Sequence, residues 1–117
     1  MRRGRIRTRV GDFDMAKTIL ICDDDPTQRR LIQAVLEREG FSVMHAENGA
    51  QAYERLTQNS GIDAVILDLV MPGQSGIDTL KDIRAAGVRT PVVVLTASGG
   101  IETVVKAMQA GAQDFFI

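Results

Sequence analysis

The fold is decided by a short stretch near the start of the chain, ILICDDDP at residues 19–26. Four apolar residues run without a break from Ile19 to Cys22, and three acids and a proline follow them directly. An unbroken apolar run of this length predicts a strand buried on both faces, which is typical of parallel sheets covered by helices. Asp25 can cap a helix whose first residue is Pro26. We therefore predict a buried strand followed at once by a helix.

The same alternation of strand and helix continues to the end of the chain. Apolar runs at 64–67 and 92–95 predict two more buried strands, 41–46 predicts a more polar edge strand, and 114–117 predicts the start of a fifth. Apolar residues at helical spacing predict four helices between the strands. The order βαβαβαβαβ with right-handed crossovers predicts a doubly wound α/β fold.

The helical segments carry recognisable ends and apolar faces. Asn48 can cap the second helix, which is expected to bury Tyr53 together with Ala52 and Leu56. The first helix presents an apolar face at Leu31, Ile32, Val35 and Leu36, and glycines 40, 87 and 111 are expected to end three of the helices.

Length and composition set limits on the function. The chain has 117 residues, of which 44% are hydrophobic and 25% charged, as in an ordinary globular domain. It is too short for a (β/α)₈ barrel of ~250 residues. A single Cys excludes an intrachain disulfide and a Cys-based metal site, and a reducing, cytoplasmic location is expected. No segment approaches the ~20 apolar residues of a membrane span, so no membrane contact is expected.

The charge is distributed unevenly. Five arginines fall within residues 1–9, whereas the chain from Met15 onward carries nine basic and thirteen acidic residues. Residues 1–14 are expected to be a disordered basic leader, an expression remnant or the product of a start codon assigned too early. A nucleic-acid-binding tail is the alternative, but the segment has no apolar periodicity and no aromatic partner for it.

The candidate chemistry lies where the buried strands end. Asp23 and Asp24 follow the first strand, and Asp68 ends the third within the apolar run 64–70. Ligands of doubly wound sheets bind outside the carboxyl ends of the strands, so these acids meet if the two strands are neighbours. Carboxylates so close raise each other's pKa unless a cation neutralises them, and oxygen ligands without His or Cys favour Mg²⁺. The pattern predicts a divalent metal site with one carboxylate left free to react.

Purely structural interpretations exist for each residue. Asp25 is expected to be a helix cap, and Asp23 and Asp24 could be solvated loop acids. Thr96 ends the fourth strand, where Thr is common. A lone charge at the core boundary costs several kcal/mol unless it is paired or bound to a metal, which favours a functional role for Asp68. The remaining polar candidates, Cys22 and His45, are interpreted as packing and edge-strand residues.

Four motifs together resemble the receiver domains of response regulators. They are ILICDDDP at 19–26, DLVMPG at 68–73 with Ser75-Gly76, LTA at 95–97, and Gly111-Ala112 with Asp114-Phe115. The resemblance extends over 17–117. It implies a flavodoxin-like parallel sheet of order 2-1-3-4-5.

The resemblance also implies a role for each site residue. Asp68 would accept a phosphoryl group from a sensor histidine kinase or a phosphotransfer protein. Asp24 and Asp68 would bind Mg²⁺ or Mn²⁺ through their carboxylates, Asp23 through a water molecule, and Val70 through its backbone carbonyl. Thr96 would hydrogen-bond the phosphoryl oxygens.

An aromatic switch is implied as well. Phe115 occupies the position of the aromatic switch residue of the family. Phosphorylation would change the face formed by the fourth helix and the fifth strand, and this face could form a homodimer. The expected output is transcription, with DNA contacted only through a separate effector domain. Apart from phosphoryl transfer to Asp68 and its hydrolysis, no enzymatic activity is expected.

The sequence departs from the family pattern at its end. Family members carry a Lys just past the fifth strand and a final helix, whereas this chain stops at Ile117. We therefore expect a receiver domain over 15–117 that is truncated, with the final helix missing.

Two other functions fit parts of the sequence. Asp23-x-Asp25-x-Thr27 also matches the first motif of haloacid-dehalogenase-type phosphatases, with Asp23 as nucleophile and Asp25 as acid. That class needs a later Lys, another acidic pair and room for a cap, and it leaves Asp68 without a role. The third interpretation is a receiver-like interaction module that is never phosphorylated, against which the complete acid set argues.

Overall fold

Five strands and four helices alternate along the part of the chain that the structure, a computed structural model, describes: residues 16–71, 73–96 and 100–116. They are β1 (Thr18–Cys22), α1 (Pro26–Arg38), β2 (Ser42–Ala46), α2 (Gly49–Gln58), β3 (Ala64–Asp68), α3 (Gly76–Ala85), β4 (Val92–Leu95), α4 (Gly100–Ala110) and β5 (Asp114–Phe116). The predicted leader at 1–14 lies outside the described residues. No helix in the described part is both long and apolar enough to cross a membrane.

The strands form one parallel sheet in the order β2-β1-β3-β4-β5, which confirms the predicted fold class. The chain thus winds outward from β1 in both directions, and the reversal falls between β1 and β3. In the register of these two strands Cys22 pairs with Leu67. Asp23 and Asp68 each follow one of these paired residues, so the sheet alone brings them side by side.

The predicted helix caps are confirmed. Asp25 accepts a 3.0 Å hydrogen bond from the backbone N–H of Thr27, with Pro26 in the first turn. Asn48 accepts one of 2.9 Å from the N–H of Gln51. Each bond satisfies a donor that the first turn of a helix leaves unpaired. The site therefore lies beside a helix whose start is firmly fixed.

The core lies on one face of the sheet. Its fully buried strand residues include Val65, Leu67, Val92 and Val94, and its helical members come from α2, α3 and α4. The alternation of these positions along β3 and β4 places their neighbours on the opposite face.

The opposite face, toward α1, is less covered than predicted. No residue of α1 is fully buried, and Leu31 is 65% exposed. The prediction that β3 and β4 are buried on both faces was wrong, because Ile66 and Leu95 are only half-buried. They line an apolar cavity of about 410 Å³, whose walls are Leu31, Ile32, Val35, Leu36, Ile66, Leu95 and Phe116.

The prediction that Tyr53 is buried was also wrong. Its side chain is 40% exposed. The buried stripe of α2 consists of Gly49, Ala52 and Leu56, and Tyr53 lies beside that stripe in an open cleft shared with Gln74 and Asp82. A phenol ring there keeps its hydroxyl in contact with water.

Candidate functional site

Three carboxylates meet at the carboxyl end of the sheet. Asp23 and Asp24 extend from the end of β1, and Asp68 is the last residue of β3. One carboxylate oxygen from each of the three lies within 4.8 Å of the other two. This is the convergence that the sequence predicted, and it provides oxygen ligands of the kind that Mg²⁺ prefers.

The three acids differ in burial. Asp23 is 1% exposed, Asp68 is half-buried, and Asp24 is exposed. Oδ1 of Asp23 accepts a 2.9 Å hydrogen bond from the N–H of Asp25, while Oδ2 is buried and has no hydrogen-bond partner among the described residues. A buried, unpaired carboxylate oxygen is unfavourable unless a cation or a water satisfies it. The donor set therefore fits a hard divalent cation.

Asp68 is held in an environment that disfavours its charge. Burial raises the pKa of Asp68 to about 6, and the negative charges of Asp23 and Asp24 act in the same direction. The backbone N–H of Val70 donates a 3.0 Å hydrogen bond to Oδ1 of Asp68 and offsets part of this increase in the pKa. A cation among the three acids would remove the repulsion.

The loop after β3 is held against α3 by Gly76. A Cβ atom at this position would lie 2.6 Å from the carbonyl oxygen of Asp68 and 2.7 Å from Cα of Leu69. The N–H of Gly76 also donates a 3.2 Å hydrogen bond to the carbonyl of Leu69. The absence of a side chain lets the start of α3 support the backbone that carries Asp68.

Thr96 lies next to the acids but is engaged elsewhere. Asp68 pairs in register with Leu95, so Thr96 directly follows the strand position beside the acid. Thr96 is 3% exposed, and its hydroxyl and its backbone N–H both donate to the carbonyl of Phe116, at 3.2 and 2.9 Å. Phe115 is half-buried and packs against the core. The hydroxyl thus links β4 to β5.

Comparison with known proteins agrees with this architecture. Residues 19–117 match the model of the response regulator receiver domain family. The chain belongs to the response-regulator receiver family. The receiver domain is 40% identical over 104 residues to chemotaxis protein CheY of Bacillus subtilis, covering 88% of this chain and 86% of that protein.

Longer regulators contain a similar domain. Transcriptional regulatory protein CpxR of Escherichia coli is 42% identical over 97 residues, which cover 83% of this chain but only 40% of CpxR. Among solved structures, response regulator TrrA of Thermotoga maritima in complex with Mg²⁺-BeF matches with a TM-score of 0.77 and 32% identity, over 86% of this chain and 85% of that one.

Two of the predicted roles in the receiver domain are not visible in its contacts. Val70 is 58% exposed and holds Asp68 through its N–H, so its predicted role as a carbonyl ligand stays a prediction. The predicted contact of Thr96 with a phosphoryl group also stays a prediction, because its hydroxyl faces Phe116.

Cys22 behaves as a packing residue. Its buried thiol donates to the carbonyl of Asn48 at 3.4 Å and contacts Sδ of Met71 at 3.7 Å. Burial, with the nearby charges of Asp23 and Asp68, raises the pKa of the thiol to about 12. A thiol that stays protonated is a poor nucleophile and a poor metal ligand. The interpretation of Cys22 from the sequence is therefore confirmed.

Sequence reasoning missed Arg29. Nη1 of its guanidinium donates a 2.7 Å hydrogen bond to the carbonyl oxygen of Asp23. The signal in the sequence was a long cationic side chain in the first turn of a helix that starts beside an acidic loop. Nothing in the apolar periodicity distinguishes this arginine from Arg30, which follows it and is exposed.

Proposed function

We propose that the receiver domain accepts a phosphoryl group on Asp68 and uses it to change the surface of α4 and β5. The donor is the phosphohistidine of a sensor kinase or phosphotransfer protein. The observation that carries this proposal is the meeting of Asp23, Asp24 and Asp68, in which the buried Oδ2 of Asp23 has no hydrogen-bond partner within the part of the chain that the structure describes. It supports a site where a cation and a reactive carboxylate act together.

Phosphoryl transfer to Asp68 requires few chemical groups from the protein. A carboxylate oxygen of Asp68 forms a bond to phosphorus while the phosphorus–nitrogen bond of the donor breaks, and the leaving imidazole nitrogen takes up a proton. With a pKa of about 6, Asp68 is mostly ionised near neutral pH and can attack. Asp24 and Asp68 would hold Mg²⁺ or Mn²⁺ directly, Asp23 would hold it through a water molecule, and the Val70 carbonyl would complete the protein ligands. A metal held there would neutralise charge on the phosphoryl oxygens.

The proposed switch starts at Thr96. Turning its hydroxyl toward a phosphoryl oxygen on Asp68 breaks the 3.2 Å hydrogen bond to the Phe116 carbonyl. That loosens β5 at its end and lets the ring of Phe115 turn inward.

The surface affected by the switch is apolar in part. Ile101, Val105 and Met108 of α4 are 72, 45 and 41% exposed, at helical spacing. This stripe supports a role as an output or homodimer face. In longer relatives such as CpxR the name indicates transcription, which we propose as the output, through an effector domain outside this sequence.

Labelling of Asp68 tests the proposal. The protein is incubated with acetyl phosphate and Mg²⁺, and the phosphorylated residue is located by mass spectrometry. We expect an adduct on Asp68 that requires Mg²⁺ and is absent from Asp68→Asn. Continuous release of phosphate that survives Asp68→Asn and is lost in Asp23→Asn would instead support the phosphatase, and absence of any adduct would support the unphosphorylated module.

A further inference from the structure

We propose that Arg29 is a positioning residue for the metal ligands of the acidic site, an inference that rests on the proposed function. Nη1 of its guanidinium donates a 2.7 Å hydrogen bond to the carbonyl oxygen of Asp23. Its backbone N–H donates one of 3.0 Å to the carbonyl of Asp25. The second bond belongs to the start of the helix, and the first lets the side chain of Arg29 tie the first turn of α1 to the beginning of the acidic loop, residues 23–25.

The guanidinium bond acts on the peptide group that joins the two acidic ligands. Because a peptide group is planar, the carbonyl of Asp23 and the N–H of Asp24 share one plane. Holding that carbonyl limits the rotation of the plane, and with it the directions in which the side chains of Asp23 and Asp24 leave the backbone. One contact thus orients two candidate ligands at once.

Two other polar atoms of Asp23, the backbone N–H and Oδ1, also form hydrogen bonds. Its N–H donates a 3.1 Å hydrogen bond to the carbonyl of Ala46, and its Oδ1 accepts from the N–H of Asp25 at 2.9 Å. With Arg29 on the carbonyl, β2, α1 and the loop each anchor this residue. The remaining atom is the buried Oδ2, for which the described residues offer no hydrogen-bond partner. The anchors therefore present one oxygen in a fixed place, as a metal ligand requires.

The guanidinium charge of Arg29 is not engaged in an ion pair within the described residues, so it can act on the acidic loop. The side chain is half-buried. Arg29 and Arg30 both line a shallow pocket beside α1. Arg30, however, is exposed and donates no hydrogen bond within the described part of the chain. Arg30 is thus a matched control, because its removal takes away the same charge from the same helix without touching Asp23.

Three single variants of the full chain test the inference: Arg29→Met, Arg29→Lys and Arg30→Met. The first readout, in metal-free protein, is the ¹³C resonance of the Asp23 carbonyl and the ¹⁵N resonance of the Asp24 amide. We expect the chemical shifts of both resonances to change in Arg29→Met and to remain unchanged in Arg30→Met. The chemical shifts of β4 and β5 should be unchanged in both variants.

The second readout is Mg²⁺ affinity from amide-shift titrations. Loss of a residue that orients metal ligands typically weakens binding by about 10- to 100-fold, and for Arg29→Met we expect about tenfold because the ligands themselves remain. Arg29→Lys keeps the charge and one donor, so a loss of about threefold is expected. Arg30→Met should stay within about twofold, as expected for an exposed charge.

The outcomes separate this inference from the proposed function. Equal Mg²⁺ affinity in Arg29→Met and Arg30→Met, with wild type binding normally, overturns the role of Arg29 and leaves phosphorylation of Asp68 standing. Failure of the wild type to bind Mg²⁺ contradicts the metal-assisted function and this inference with it. If Arg29→Met does not fold, Arg29→Gln replaces it under the same criteria.

Discussion

Replacing Asp68 with Asn should stabilise the metal-free protein, and the effect should depend on pH. Burial and two neighbouring carboxylates raise the pKa of Asp68 to about 6 in the folded state. The unfolded value is about 3.9. The folded protein therefore binds more protons than the unfolded chain between about pH 4 and pH 6, and the wild type loses stability as the pH rises through this window.

The size of the effect follows from the pKa shift. A shift of about two units corresponds to ~3 kcal/mol at ~1.4 kcal/mol per unit. The carboxylate is only half-buried, so solvent screening reduces this to ~1–1.5 kcal/mol. The side-chain amide of the Asp68→Asn variant keeps an oxygen acceptor for the N–H of Val70. We expect the substitution to raise the free energy of unfolding by that amount at pH 7.5 and by almost nothing at pH 4.

Urea unfolding at both pH values, with EDTA present, measures the difference. Glu54→Gln is the control, because it removes one negative charge from an exposed position of α2. A gain from Asp68→Asn that is equal at both pH values, or no larger than that of Glu54→Gln, would refute the reasoning. Saturating Mg²⁺ should shrink or reverse the gain, because the cation relieves the repulsion in the wild type.

Three further predictions concern the backbone behind Asp68, the carboxylate of Asp24 and the cavity beside α1. Gly76→Ala should lower the free energy of unfolding by ~1–3 kcal/mol, because its Cβ would meet the backbone of Asp68, whereas Gly61→Ala meets nothing within 4 Å and should be near neutral in the same melts. Asp24→Asn should weaken Mg²⁺ binding about tenfold in a calorimetric titration, and equal affinity would remove Asp24 from the site. Leu31→Gln should reduce the fluorescence of an apolar dye bound in the cavity beside α1 while changing stability by less than ~0.5 kcal/mol, and unchanged fluorescence would mean the dye binds elsewhere.

The strands and caps could be predicted because their signals are local. Ile19 to Cys22 is buried along its whole length, and Asp25 caps α1 through its own side chain. The meeting of Asp23 with Asp68 is not local, since the two residues are 45 positions apart in the sequence. It could still be predicted, because parallel strands in a doubly wound sheet bring their carboxyl ends to one edge.

What the sequence could not provide is how far each side chain on the apolar face of α1 is covered. Apolar periodicity marks Leu31 and Val35 as a face of α1, but it does not say whether anything packs on that face, and both are exposed. The prediction that Tyr53 is buried was wrong for a related reason. An aromatic ring next to the apolar stripe of a helix can lie within that stripe or beside it. Hydrogen bonds such as that of Arg29 with Asp23 depend on side-chain reach, which spacing alone does not fix.

The position of Thr96 connects the acids to the far edge of the sheet through neighbouring strands. Asp68 pairs with Leu95, the residue before Thr96, and Thr96 donates twice to the carbonyl of Phe116. Within the described residues β5 runs from Asp114 to Phe116 and pairs with β4 alone, and Thr96 adds two hydrogen bonds at the end of this pairing. We expect a change at Asp68 that draws the Thr96 hydroxyl away to act on the pairing of β4 with β5 and not on that of β4 with β3. For this reason we expect β5 to respond to the acidic site through Thr96.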